Sequence, residues 1–272
     1  MIPYQTTKSN EWLPVPGAPT QQKVREVFLN LKQMKSIKIL IIALVTVTAT
    51  SCQFDIQLGS VSGNGNVTTE TRDVGDFNSV RGSAGMDVYL TEGTENKVVI
   101  EADENLMENI ETYVVNGTLK ISTKKSIGRS KSQKAHVTYV ALESIEASSG
   151  ADVIGNSVIK SEVLSLGSSS GADLEVEILA KEVYASSSSG SDLKISGKAT
   201  KLTADASSGS DIKARELEVI SCKASASSGA DISVNVKEKM EGKASSGGDI
   251  KYYGNPSDVS VKDGTSGNIR KM

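Results

Sequence analysis

The sequence predicts an all-β fold: a right-handed parallel β-helix, or closely related β-solenoid, with coils of about 20 residues. Three observations predict it. A hexapeptide of the form Ser-Ser-Gly-small-Asp-aliphatic recurs, first as SSGADV at Ser148–Val153, then as SSGADL, SSGSDL, SSGSDI, SSGADI and SSGGDI. Its glycines are Gly150, Gly171, Gly190, Gly209, Gly229 and Gly247, spaced by 21, 19, 19, 20 and 18 residues, and the echo TSGNI sets Gly267 a further 20 on. Between the corners there is no helical periodicity, only the two-residue alternation of strands, as in DLKISG and KLTADAS. Finally, 38% of residues are hydrophobic but only 4% aromatic, so the core is made of Val, Ile, Leu and Ala rather than rings.

The chain begins with material that does not belong to this pattern. Residues 1–33 are polar and Pro-containing and precede an internal Met34, so they read as an over-called or disordered extension, with translation starting at Met34. Residues 34–51 read as a lipoprotein signal peptide. Lys35 and Lys38 supply the positive end, Ile39–Val47 a short apolar run, and Ala49, Thr50 and Ser51 the small residues before Cys52. The apolar run is shorter than the ~20 residues of a membrane-spanning helix. The Cys after ATS resembles the bacterial lipobox, with Ala49 standing where Leu is usual. Lipidation is therefore expected at Cys52, and acyl chains there hold the chain at a membrane surface. The alternative is an ordinary signal peptide with an incidental Cys. Residues 52–70 then form a linker, and residues 71–272 the solenoid.

Residues 72–146 are less regular. Ser83-Ala84-Gly85-Met86-Asp87-Val88 is a degenerate copy of the hexapeptide, so a first coil is expected there. A strand follows, then an acidic excursion with a helical turn, then a hairpin at Asn116-Gly117. Lys124, Lys125, Arg129, Lys131 and Lys134 make a basic, solvated loop, and His136 starts the next strand facing solvent or at an edge.

Aligned on the glycine, the repeats have one inward face on each side of it. Seven residues before it stand Leu164, Val183, Leu202, Cys222 and Met240; three before it, Ala147, Ser168, Ser187, Ala206, Ala226 and Ala244; one after it, only Ala, Ser or Gly. The inward residues shrink toward the glycine, so each coil is a wedge closed at a narrow corner. The corner needs a positive φ or a close backbone approach, hence Gly. The second Ser of the motif is expected to point in, and Cys222 to be a small buried hydrophobe.

The Asp column (Asp152, Asp173, Asp192, Asp211, Asp231, Asp249) has outward parity. Carboxylates stacked about 5 Å apart cost about 0.8 kcal/mol per neighbouring pair even in water. The first reading is that each Asp accepts corner N–H groups. The others are a row of divalent cations and a contact stripe with the outward first serines: Ser148, Ser169, Ser188, Ser207, Ser227 and Ser245. The nonapeptide Ca²⁺ solenoid does not match, since Asp appears once per coil here. The stripe considered as a ligand surface runs over Ser148, Asp152, Ser169, Asp173, Ser188, Asp192, Ser207, Asp211, Ser227 and Asp231.

Composition narrows the chemistry. A net charge of −3 gives no basic excess for nucleic acid. A single His, His136, argues against His-based metal sites and Ser–His–Asp catalysis. Two Cys are too few for a disulfide framework. No cofactor is expected.

FNSVRGSAGMDVYLTEG, VVIEADENLMENIETYVVNGTLKIS and the serial SSGAD corners resemble the head GIN auto-transporter adhesin domain, over about residues 70–265. The resemblance implies a β-helical fold, placement at the cell surface or in the periplasm, and adhesion; it carries over no catalytic motif. The expectation is a non-enzymatic, lipid-anchored cell-envelope solenoid, an outer-membrane lipoprotein binding glycan, a surface protein or other envelope material. The alternatives are a β-helical polysaccharide-active enzyme, which would need carboxylates clustered in one cleft, and an assembly or sensory partner in the envelope.

Overall fold

The computed structural model describes residues 59–264 and 266–272. The extension, signal peptide and Cys52 lie outside the described residues. The strands are β1 Val67–Arg72, β2 Ser79–Gly82, β3 Asp87–Glu92, β4 Lys97–Asp103, β5 Ile110–Val115, β6 Thr118–Thr123, β7 Gln133–Tyr139, β8 Ser144–Ser148 and β9 Asp152–Gly155. The long strands β10 Ile159–Ser169, β11 Asp173–Ser188, β12 Asp192–Ser207, β13 Asp211–Ala226 and β14 Asp231–Ala244 follow, then β15 Asp249–Tyr253, β16 Asp258–Asp263 and β17 Asn268–Lys271. Together they wind a β-solenoid of about 7 turns with coils of roughly 19 residues, as the repeat spacing predicts.

Each coil has an incoming arm that runs toward the Ser-Ser-Gly corner and an outgoing arm that leaves it. In the regular coils one strand supplies an outgoing arm, bends, and becomes the next incoming arm. Burial alternates along it: in β11, Leu174, Val176, Ile178, Val183, Ala185 and Ser187 are buried between exposed neighbours. Parallel pairing keeps the repeats in register, Asp173 beside Asp192 and Val183 beside Leu202, then Leu202 beside Cys222 and Cys222 beside Met240. At the bend Gly197 has φ +104°, and a Cβ there would lie 2.1 Å from the Ile178 carbonyl oxygen, so the strand passes only without a side chain.

The corner combines two left-handed residues. The second Ser has φ between 51° and 58° and the Gly between 67° and 78° in the six SSG motifs. Two successive positive φ values are those of a type I′ turn. In the first motif it is closed by the Ala151 N–H donating to the Ser148 carbonyl at 3.2 Å. Each corner Gly donates its N–H to the second-Ser carbonyl one coil on, as from Gly171 to Ser189 and from Gly190 to Ser208, both at 3.1 Å. A left-handed non-Gly residue costs roughly 1–2 kcal/mol. The buried Leu, Ile and Val side chains of the same coil, at about 1.5–3 kcal/mol each, offset it. The wedge is narrow here: the buried Ser187 and Ser191 hydroxyls lie 2.9 Å apart across the corner.

The first coils depart from sequence order. On the incoming side the strands stack β5, β6, β2, β8, β10. On the outgoing side they stack β1, β4, β7, β3, β9, β11. The coil made by β2 and β3, with Ala84 and Gly85 at positive φ, thus lies between the later coils β6–β7 and β8–β9. The Asn116-Gly117 hairpin joins β5 to β6, and a 3-10 turn spans Glu104–Leu106, as the sequence indicates. Antiparallel β1, β4 and β5 close this end. Residues 59–70, expected within the linker, are built into it: Val61 bridges Ile127, and β1 pairs along β4. The buried Asp103 carboxylate ties the pieces together, accepting N–H bonds from Gly65 at 2.8 Å, Lys131 at 3.0 Å and Ser132 at 3.1 Å. Burial pushes its carboxyl pKa up, but these N–H groups outweigh it and hold the group below the usual carboxylate range.

Candidate functional site

The corner edge carries the Ser and Asp columns, and its geometry corrects the expected placement of both serines, the first expected outward and the second inward. The second Ser of each motif does not point in. Its positive φ breaks the two-residue alternation and turns Ser149, Ser170, Ser189, Ser208, Ser228 and Ser246 out to solvent. The first Ser is the less exposed of the pair: Ser148 is buried, and Ser169, Ser188, Ser207, Ser227 and Ser245 are half-buried. Several are occupied by the turn itself. The Ser188 N–H donates to the Ser191 hydroxyl, which donates to the Ser188 carbonyl at 2.8 Å; Ser207 and Ser210 repeat this.

The Asp column runs down the start of the outgoing arm. Its backbone N–H groups belong to the ladder, as in Asp173 to Ala151 and Asp211 to Ser191, both at 3.0 Å. Among the described residues none of its carboxylates accepts a corner N–H bond. Their partners are cations of the next coil, two residues past that coil's own Asp or Asn position. The Lys213 ammonium bonds Asp192 one coil back and lies 3.6 Å from Asp211; Lys251 lies 3.4 Å from Asp231, and Arg270 3.5 Å from Asp249. The carboxylates and the mutual charge raise the Lys213 pKa, the bond to Asp192 first.

At Asp87, Asp152 and Asp173 this compensation stops. The corresponding residues of the next coil there are Ile154, Glu175 and Lys194, and Lys194 is taken by Glu175 at 2.6 Å. The Asp152 pKa is raised, by partial burial first and then by Asp173 and Asp87; that of Asp87 is raised by burial against the opposing pull of Lys134. Among the described residues no three His, Cys, Asp or Glu side chains converge as a metal centre would need.

Beside these carboxylates the outer surface is more apolar. The exposed His136 lies in the middle of β7 rather than at its start. It stacks on Tyr89 with ring centroids 5.5 Å apart, and its Nε2 is 3.4 Å from Glu101. Ile154 is half-buried next to Tyr89 on the neighbouring strand. Of the basic loop, Lys124 donates to the Glu108 carbonyl and Lys134 faces Glu101 at 3.7 Å. Cys222 is buried in its aliphatic ladder, and burial pushes its thiol pKa up to about 12, so it is held as an unreactive thiol. At the β1–β5 end a shallow groove of about 600 Å³ is lined by Glu70, Arg72, Glu108, Tyr113 and Lys124 among others, with acids and bases interleaved.

Sequence reasoning missed the Lys and Arg column. The signal was present: DLK at Asp192, DIK at Asp211 and Asp249, and NIR at Asn268 place a cation on the same face as the acid, two residues on.

The family model described as "Putative auto-transporter adhesin, head GIN domain" matches residues 76–256. No curated protein matches the chain. A "putative adhesin" from Bacteroides fragilis is similar in structure, with a TM-score of 0.70 and 22% identity, over 78% of this chain and 100% of that one. A "putative lipid binding protein" from Parabacteroides distasonis gives 0.62 and 20%, over 78% and 99%. A "putative adhesin" from Parabacteroides merdae gives 0.59 and 21%, over 79% and 99%. At these identities the likeness is one of fold.

Proposed function

The chain belongs to the head GIN domain family of auto-transporter adhesins, and from that premise we propose that it is a non-enzymatic, lipid-anchored solenoid of the cell envelope that binds a polar polymer, a surface glycan, along its corner edge. The observation that supports the reading is the edge itself. Each regular coil, about 4.8 Å from the next, presents one solvent-facing Ser hydroxyl and one Asp carboxylate in register. A linear ligand with repeated hydroxyl donors fits such a repeat. A small ligand gains nothing from its length. Asp152 and Asp173, which have no lysine partner among the described residues, are the carboxylates left to accept from such a ligand.

The anchor would be Cys52, with the solenoid held at the outer membrane. A glycan and matrix-protein array probed with residues 59–272 tests the ligand. Binding to a glycan class that is weakened by Asp152→Asn with Asp173→Asn supports the reading. Binding that ignores these substitutions, or turnover of an acidic polysaccharide, overturns it. For the anchor, Cys52→Ala should release the protein from membranes and abolish labelling by a fatty-acid analogue; a variant still labelled and still bound defeats it.

A further inference from the structure

We propose that the coil made by β16 and β17 is a contact surface at which two copies of this chain stack end to end about a two-fold axis. On one side this coil pairs with β14 and β15. Among the described residues no strand pairs its other edge. Its inward positions still carry core residues. Val259 continues the column of Met240, Val261 that of Gly242, and Ile269 that of Ile250. Those three predecessors are buried, whereas Val259 is 42% and Val261 43% exposed. A solenoid end normally carries polar groups where the core would otherwise continue. The β1 arm of the opposite end does so: Glu70 lies opposite Ile100 and Arg72 opposite Val98, in ion contact with each other at 3.2 Å.

Charge and strand direction select the occupant. The incoming strand β16 carries Asp258, Asp263 and Lys262, a net acid; the outgoing strand β17 carries Arg270 and Lys271. An axis running from the back of the wedge to its corner exchanges the two arms. It sets β16 of one copy against β17 of the other, acid against base. Because β16 runs toward the corner and β17 away from it, the pair is antiparallel and both open edges are used at once. Val259, Val261 and Ile269 then face their counterparts. Stacking on the β1–β5 end instead would set β16 against β5, whose charged residue, Glu111, has the same sign. The two-fold contact also closes on itself, where a head-to-tail one would grow into a fibre.

The surface is small. The arms are 6 and 4 residues long, and about 3.3 Å per residue with sheets about 10 Å apart gives roughly 700 Å² over both copies, below the ~1,200 Å² of stable specific interfaces and in the range of weak, transient contacts. A dimer in reversible, concentration-dependent equilibrium is expected.

Residues 59–272 form one compact unit with its own core, as a domain that folds alone does. Sedimentation velocity on this unit and on the full chain should show monomer and dimer exchanging with concentration. Val259→Glu with Val261→Glu should weaken the dimer by about tenfold or more, as loss of a buried interface centre does, with circular dichroism establishing that the variant is folded. Asp258→Lys with Asp263→Lys, and separately Arg270→Glu with Lys271→Glu, should each leave monomers, and an equimolar mixture of the two should restore the dimer. Arg270 also meets Asp249, so circular dichroism and Tm of the second variant establish that it is folded. A monomer at every concentration overturns the proposal and leaves the edge charges as guards against aggregation. Open polymers, or a mixture that stays monomeric while the parent dimerises, overturn the two-fold geometry.

Discussion

The coils from Asp173 to Ala244 and those between Ser79 and Gly155 are assembled differently, although β2–β3 and β8–β9 of the second set share the left-handed corner of the first. In the first set each strand is 14 to 16 residues long and its neighbour is the next coil in sequence. In the second the strands are 4 to 7 residues long, and the coil β2–β3 has later strands on both of its sides. The difference teaches where a repeat is needed. Sequential stacking requires each coil to fit a copy of itself, so the columns repeat. Where the neighbours come from elsewhere in the chain, pairing and inward parity suffice, and unrelated sequence satisfies them.

Large core truncations test this first. Leu202→Ala in the regular coils and Leu119→Ala in β6 should each cost about 2–5 kcal/mol, both side chains being fully buried. Hydrogen exchange separates them. Leu202→Ala should loosen β11 and β13 on either side, whereas Leu119→Ala should loosen β2 and β5, which are far from each other in sequence. Equal loosening throughout in both variants would mean that the solenoid melts as one unit and that the two regions do not differ in coupling.

Glycines give the next contrast. Gly197→Ala should cost about 3 kcal/mol, since overpacking adds to backbone strain. Gly209→Ala, at φ +68° with nothing within 4 Å of the added carbon, should cost only the left-handed term of about 1–2 kcal/mol. Chemical denaturation midpoints measure both, and a Gly209→Ala as damaging as Gly197→Ala would show that the corner is sterically closed.

The smallest effects concern the Asp column and should differ in sign. Asp152→Asn removes repulsion from two neighbours and should stabilise by about 1 kcal/mol at pH 7 and low salt. Asp211→Asn loses an exposed ion pair with Lys213 and should destabilise by well under 1 kcal/mol. The pH dependence follows from direction. The Asp152 carboxyl pKa lies above its ordinary value in the fold, so the penalty is present above that raised value. It falls as the pH drops through the raised value and is gone below the unfolded one. The gain from Asp152→Asn should therefore vanish on acidification. High salt should shrink both effects. Equal signs at the two sites would remove the distinction between compensated and uncompensated carboxylates.

The corner, the inward columns, the burial of Cys222 and the existence of a degenerate coil at Ser83–Val88 were all legible in the sequence, because strand parity and a fixed repeat translate directly into stacked columns. Three things were not. Parity counting carried the second Ser inward, since it assumes an unbroken strand and the left-handed turn interrupts it. The out-of-order stacking of β2–β3 left no trace, because the residues before Glu146 repeat too weakly to show which strand meets which. The Asp column was read correctly as outward, but its relief was sought in the backbone instead of in the next coil's Lys213, Lys251 and Arg270.

The interlaced order of the first coils also bears on how the length of the molecule can change. A coil such as Asp192–Ser210 touches only the coil before and the coil after it, so a copied block of that kind can be spliced in, lengthening the rod by one strand spacing and the Ser and Asp edge by one step. The coil at Ser79–Glu92 offers no such freedom, because strands drawn from two later stretches of chain grip it from both sides. Growth and shortening by whole coils are thus confined to the stretch after Gly155, and a binding edge of variable reach can be carried on an end of fixed design.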